Sequence, residues 1–169
     1  MRRLRASTGA AFGLAAALSV VAGCATTPPR TPDPFCPAIR DFANTTPKST
    51  TRSAELTTSW FAGDSLAVSA QCRHSSDDAA SKALCGVLVQ HGSREFAVGN
   101  VERVLACMSK SGRIEGLPVY AVESLSGEVH GWEMPGVDED VVLTLSFTVG
   151  ATADPPRLRI AARRSALAQ

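Results

Sequence analysis

No charge of one sign prevails in this chain: 17 Lys and Arg stand against 16 Asp and Glu over 169 residues. A chain so balanced has no single-sign field with which to hold a phosphate backbone, so nucleic acid is not an expected partner. Nor is any residue class inflated. With 44% hydrophobic and 20% charged residues, collagen-like, coiled-coil and disordered readings are excluded and one compact domain is allowed. Long apolar runs are also missing. The longest, residues 10–21, spans about a dozen positions, whereas a membrane-spanning helix needs about 20. Aromatic residues make up only 5%, so Trp60 and Trp132 are read as packing residues before they are read as the lining of a groove. No pair of cysteines has Cys-x-x-Cys spacing, and no internal repeat is evident.

What is present begins at the amino terminus. Arg2, Arg3 and Arg5 precede the apolar run, which gives the proportions of a signal peptide. The run ends in Val21-Ala22-Gly23-Cys24, an aliphatic residue, two small residues and a cysteine. This segment resembles the lipobox of bacterial lipoproteins. The resemblance covers residues 1–24 and implies diacylglycerol on the Cys24 thiol, cleavage before Cys24 and acylation of the new amino terminus. Ala25, where an Asp would imply retention in the inner membrane, implies the outer membrane, facing the periplasm. Two or three acyl chains on one residue suffice for stable anchoring.

The expected organisation is a cleaved signal peptide at 1–23, a lipidated tether at 24–35, one domain at 36–165 and a tail at 166–169. Removing 1–23 takes away three arginines and no acid, leaving 14 basic against 16 acidic groups. Pro28, Pro29, Pro32 and Pro34 give the tether polyproline II character, so about ten residues could hold the domain roughly 30 Å from the bilayer.

With Cys24 consumed by lipid, Cys36, Cys72, Cys85 and Cys107 form an even set in an oxidising compartment, which predicts two disulfides. A zinc site is the alternative, and His74 is the only imidazole near these cysteines to support it. A helix is predicted after Ser76-Asp77-Asp78 and a second from Ser93, with Ala97, Val101, Val104, Leu105 and Met108 on one face. The two are expected to form an antiparallel hairpin. A second helix starting at Ser93 carries Cys107 back to the start of the first, pairing Cys72 with Cys107 and Cys36 with Cys85; a later start would bring Cys85 level with Cys107.

The rest reads as strands. Ala54, Leu56, Thr58 and Trp60 alternate with Glu55, Thr57 and Ser59, and a hairpin turning at Ala62-Gly63-Asp64 returns through residues 65–72. Ser126-Gly127 reads as a two-residue turn between two strands. Val141, Leu143, Leu145, Phe147 and Val149 share one face of a strand whose predicted partner carries Leu158, Ile160 and Ala162 inward. A short helix over residues 37–44 is expected to pack through Cys36, Ile39 and Phe42. The fold class is therefore α+β: an antiparallel sheet of about four to six strands, packed against a two-helix hairpin and stapled by disulfides.

Two features bear on function. Gly63-Asp64-Ser65-Leu66 matches the signature of the GDSL esterases, in which the serine attacks an ester. That resemblance would make Ser65 a nucleophile; the family's Asp-x-x-His is missing, no histidine follows His130, and a hairpin turn accounts for the same residues. His74, His91 and His130 are weighed as a catalytic or metal set against separate loop, helix-end and strand positions.

The second feature is charge segregation. No Lys or Arg occurs between Arg113 and Arg157, where eight acids lie, and Arg157, Arg159, Arg163 and Arg164 then follow in one strand. Those arginines are either paired with acids across strands or form a strip for an acidic partner, beside which an exposed apolar patch is expected. The reading is a lipid-anchored, non-catalytic binding or assembly module, with no metal and no cofactor. Its partners are the membrane, through the anchor, and another envelope protein or an anionic polymer. Alternatives are an esterase using Ser65, or a structural or stress-response envelope lipoprotein.

Overall fold

The structure, a computed structural model, describes residues 33–62, 66–109, 124–131, 134–150 and 155–166. All lie in one compact unit, Pro32–Gln169. Three helices and five strands follow in the order α1 (Phe35–Asn44), β1 (Thr51–Ala62), β2 (Leu66–His74), α2 (Ala79–His91), α3 (Ala97–Met108), β3 (Leu125–Gly131), β4 (Val141–Val149) and β5 (Arg157–Arg164). The strands form one sheet in the order β2-β1-β5-β4-β3, and every pairing is antiparallel.

Period-two alternation decides which face of that sheet is covered. Ala54 and Leu56 on β1, Leu143 and Leu145 on β4, and Leu158, Ile160 and Ala162 on β5 are buried and stand level with one another across the register. The helices lie against that face: α2 on β1 and β2, α1 and α3 on β4 and β5. Phe35, Ile39 and Phe42 of α1, Leu84 and Leu88 of α2, and Val101 and Val104 of α3 close the core, each burial worth roughly 1.5–3 kcal/mol.

The helical layer differs from the expected hairpin. Helix α1 packs against both α2 and α3. With α1 as the shared neighbour, Cys36 on α1 meets Cys107 on α3, and the Cα atoms of that pair are 5.1 Å apart. Cys72, facing inward on β2, bonds Cys85 of α2 at a Cα separation of 5.4 Å. The four predicted cysteines do form two disulfides, with the partners exchanged relative to the expected pairing. Asp33 and Phe35, at the end of the expected tether, are part of this packing, because Phe35 is fully buried and Asp33 Oδ1 accepts from its backbone N–H.

Two further corrections have local causes. Helix α3 starts at Ala97, four residues after Ser93, because Ser93 is held in a turn. Asn100 Oδ1 accepts from its N–H, Asn100 Nδ2 donates to its carbonyl, and its Oγ accepts from Phe96 N–H. Ser126-Gly127 is no turn but the middle of β3, opposite Thr148 and Phe147. A Cβ at Gly127 would come within 2.9 Å of Phe147 Cζ, so the glycine there makes room for the ring of the neighbouring strand.

Candidate functional site

Arginines occupy both sides of the sheet, in different states. On the covered side Arg52, facing inward on β1, is 4% exposed. Its guanidinium donates to the Phe42 carbonyl, to Thr45 Oγ1 and to Thr46 Oγ1, so it satisfies acceptors at the C-terminus of α1. It also pairs with Asp78 at 3.0 Å and lies over the Phe42 ring. Asp78 is the N-cap of α2 and accepts from Ser81 N–H. Burial pushes the Asp78 carboxyl up, but hydrogen bonds from Ser76, Ser81 and Arg52 outweigh it and hold the group far below the usual carboxylate range.

Arg103 of α3 repeats the arrangement. It makes two 2.8 Å hydrogen bonds to Asp33, donates to the His91 carbonyl and stacks on Phe35 at 3.7 Å. The Arg103 hydrogen bond lowers the Asp33 pKa. Neither Arg52 nor Arg103 stands out from the charge pattern of the sequence. For Arg52 a signal is present, since a charge at even spacing from Ala54 and Leu56 must point toward the core.

The opposite face carries no helix among the described residues. In register across it run Arg73, Glu55, Arg159, Ser146 and Glu128, and beside them Gln71, Thr57, Arg157, Thr148 and Ser126. A third row holds Ser53, Ala161, Thr144 and His130, and a fourth Thr51, Arg163 and Val142. These four rows consist of serine, threonine, glutamine, histidine and charged residues, with Ala161 and Val142 the side chains in them that lack a polar group.

Of the four arginines in the predicted strip, three belong to this face. Arg157, Arg159 and Arg163 are exposed, and among the described residues none is ion-paired with a carboxylate. Arg159 donates to Ser53 Oγ at 3.3 Å and stands opposite Glu55. Arg164 has the other parity. It faces the covered side, where it pairs with Asp138 and lies 3.4 Å from Asp140 Oδ1, so it leaves the strip. Among the described side chains the exposed large hydrophobics are Phe96, just before α3, and Val129, on the other parity of the edge strand, so none of these lies beside the strip; the Phe61 side chain lies outside the described ones.

The histidines are dispersed. His74 ends β2 and His130 lies on β3, at opposite edges of the sheet and of opposite parity, about 19 Å apart by strand spacing; His91 ends α2. On the open face His130 Nε2 is 3.0 Å from Glu128 Oε1, and His130 Nδ1 is 3.0 Å from Thr144 Oγ1. Ser146 Oγ donates to Glu128 Oε2. This acid-imidazole-hydroxyl chain is exposed, and β4 is hydrogen-bonded on both sides, so its backbone N–H groups are already engaged in the ladder. Among the described residues no group of three His, Cys, Asp or Glu is placed to hold a metal ion, and no helix is long and apolar enough to cross a membrane. Cys24, Ser65, Trp132 and the Trp60 side chain lie outside the described residues.

No protein-family model, curated protein or solved structure matches the chain.

Proposed function

We propose that this chain is an exported lipoprotein, anchored through Cys24 in the outer membrane on its periplasmic side, whose domain is a non-catalytic binding or assembly module. The observation that carries the reading is the division of its last four arginines. Arg164 is engaged by Asp138 and Asp140, while Arg157, Arg159 and Arg163 stand in a column on the open face, exposed and, among the described residues, without a covering helix or a carboxylate partner. Isolated surface arginines are ordinary, but three on one face of one central strand, interrupted only at Ala161, form a line of cations suited to an anionic partner. Two disulfides in so compact a domain support an oxidising compartment.

Two measurements test the two halves of the reading. Mass spectrometry of the N-terminal peptide from the envelope is expected to show an acylated Cys24, and an unmodified thiol there would overturn the anchor. Photo-cross-linkers placed at Thr57 and Thr148, on either side of Arg157, are expected to capture envelope material that a cross-linker at Lys82 on the helical side does not. Arg159→Glu with Arg163→Glu is expected to abolish that capture; unchanged capture would remove the binding face.

A further inference from the structure

We infer that the arginine column takes an extended anionic glycan, a hydroxyl-rich chain bearing carboxylate or phosphate groups laid along β5. The inference rests on the binding face proposed above and names its ligand.

Three observations lead to it. First, the cations are linear: Arg157 and Arg159 are two residues apart and Arg163 four further on, so the column spans about 20 Å of a single strand at about 3.4 Å per residue. A compact anion would meet one or two of the guanidiniums, whereas an extended chain meets all three. Second, hydroxyls flank the cations. Thr57 and Thr148 lie on either side of Arg157, Ser146 and the carboxylate of Glu55 on either side of Arg159, Ser53 and Thr144 beside the uncharged gap at Ala161, and Thr51 and Val142 on either side of Arg163. Guanidiniums pair bidentately with carboxylate or phosphate, and hydroxyls donate to and accept from polyols. Third, the rows that carry the three arginines hold no aromatic and no leucine-sized side chain among the described residues. Protein interfaces draw their energy from buried aromatic and aliphatic anchors, and interfacial membrane binding draws on an inserted apolar face. The rows that carry Arg157, Arg159 and Arg163 supply neither, and the exposed large hydrophobics among the described side chains, Phe96 and Val129, lie elsewhere.

The test uses the exported chain without its lipid, folded with both disulfides, and four probes: polygalacturonate, phosphorylated dextran, unmodified dextran and poly-glutamate. Binding to at least one of the charged glycans is expected, with a log–log salt slope of about −2 if each of three cations releases about 0.7 counterion. Unmodified dextran and poly-glutamate are expected to bind at least tenfold more weakly. Arg157→Gln with Arg159→Gln and Arg163→Gln is expected to cut glycan affinity at least tenfold, and Lys82→Gln to leave it unchanged. Because the triple variant alters a whole strand, its melting curve is compared with the parent, and R157Q and R163Q alone are each expected to weaken binding about threefold. The inference is overturned if neither charged glycan binds, if poly-glutamate binds as well as they do, or if phosphatidylglycerol vesicles capture the protein in their place. Cross-linking to a protein through the same face, with no glycan binding, would leave the binding face standing and remove the glycan; loss of both would remove the face as well.

Discussion

The two sides of the sheet treat the same residue in opposite ways. On the helical side Arg52 and Arg103 are each held by a carboxylate, by a backbone carbonyl and by a phenylalanine ring, and for Arg52, almost wholly buried, these partners recover the hydration its guanidinium has lost. On the open side Arg157, Arg159 and Arg163 remain in water and need no such partners. The first pair ties helices to the sheet and to one another. The second group contributes little to the fold, which leaves its charge available for something outside the molecule. Cys36–Cys107 and Cys72–Cys85 both lie on the helical side, so the staples and the paired arginines are concentrated in one layer.

The contrast between the two sides predicts where the molecule is fragile. Removing Cys36–Cys107 opens a loop of sequence separation 71, against 13 for Cys72–Cys85, and chain-entropy scaling gives losses of about 4 and about 3 kcal/mol. Denaturant melts of C36A/C107A and C72A/C85A are expected to follow that order, and the reverse order would show that native packing, not loop closure, governs the helical layer. Arg52→Met comes next. It keeps the stem against Phe42 but takes one donor from the Phe42 carbonyl, which keeps Thr46 Oγ1, and the one cationic donor from Asp78, which keeps Ser76 and Ser81, at a cost of about 3 kcal/mol in the same assay. A loss below about 1 kcal/mol would mean that Arg52 is no more structural than the arginines of the open face.

Much of the fold is legible in the residues themselves. Strands β1, β2, β4 and β5 alternate cleanly, and Val141, Leu143, Leu145 and Val149 are buried where period two places them. Helix α2 announces itself through its Asp78 cap. Expectation and structure part where a long-range neighbour overrides a local signal. Ser126-Gly127 is turn-like in isolation and becomes strand because Phe147 needs the space above Gly127. The disulfide partners depend on α1 packing between sequence-distant helices, and no spacing within the α2–α3 segment encodes that. The site is half legible: the arginine strip is visible as charge segregation, and parity alone separates Arg164, which stands with Leu158, Ile160 and Ala162, from the other three. Arg103 carries no such mark, since its partner Asp33 is 70 residues away.

A smaller effect follows from the carboxylates that serve the helical layer. Asp33 and Asp78 are both held below their ordinary range in the folded state, through the Arg103 hydrogen bond for Asp33 and the Ser76, Ser81 and Arg52 hydrogen bonds for Asp78. A carboxylate whose folded pKa lies below its unfolded one adds stability that is complete above the unfolded value, near 4, and is lost as pH falls toward the folded value. Stability is therefore expected to be flat from pH 7 to about 5 and to decline below about 4. Asp78→Asn should be less stable at pH 7 and flatten that decline. A decline of the same size in D78N would assign the acid sensitivity to other groups.

The smallest effect on the fold is predicted for the residues of greatest functional interest. Neutralising Arg157, Arg159 or Arg163 singly is expected to change stability by less than about 0.5 kcal/mol, the ordinary range for an exposed substitution. Arg159→Gln should lie at the destabilising end, because Arg159 stands opposite Glu55 and donates to Ser53 Oγ. Arg157→Gln should be neutral or slightly stabilising, since it relieves repulsion from Arg159 two residues away on the same face. Arg164→Gln provides the contrast within one strand: it strands Asp138 and Asp140 and is expected to cost more than any of the other three. Denaturant melts of the four single variants, read side by side, decide whether the division is real. If Arg157→Gln or Arg163→Gln costs as much as Arg164→Gln, the column is part of the fold's own electrostatics and is not free to meet a ligand.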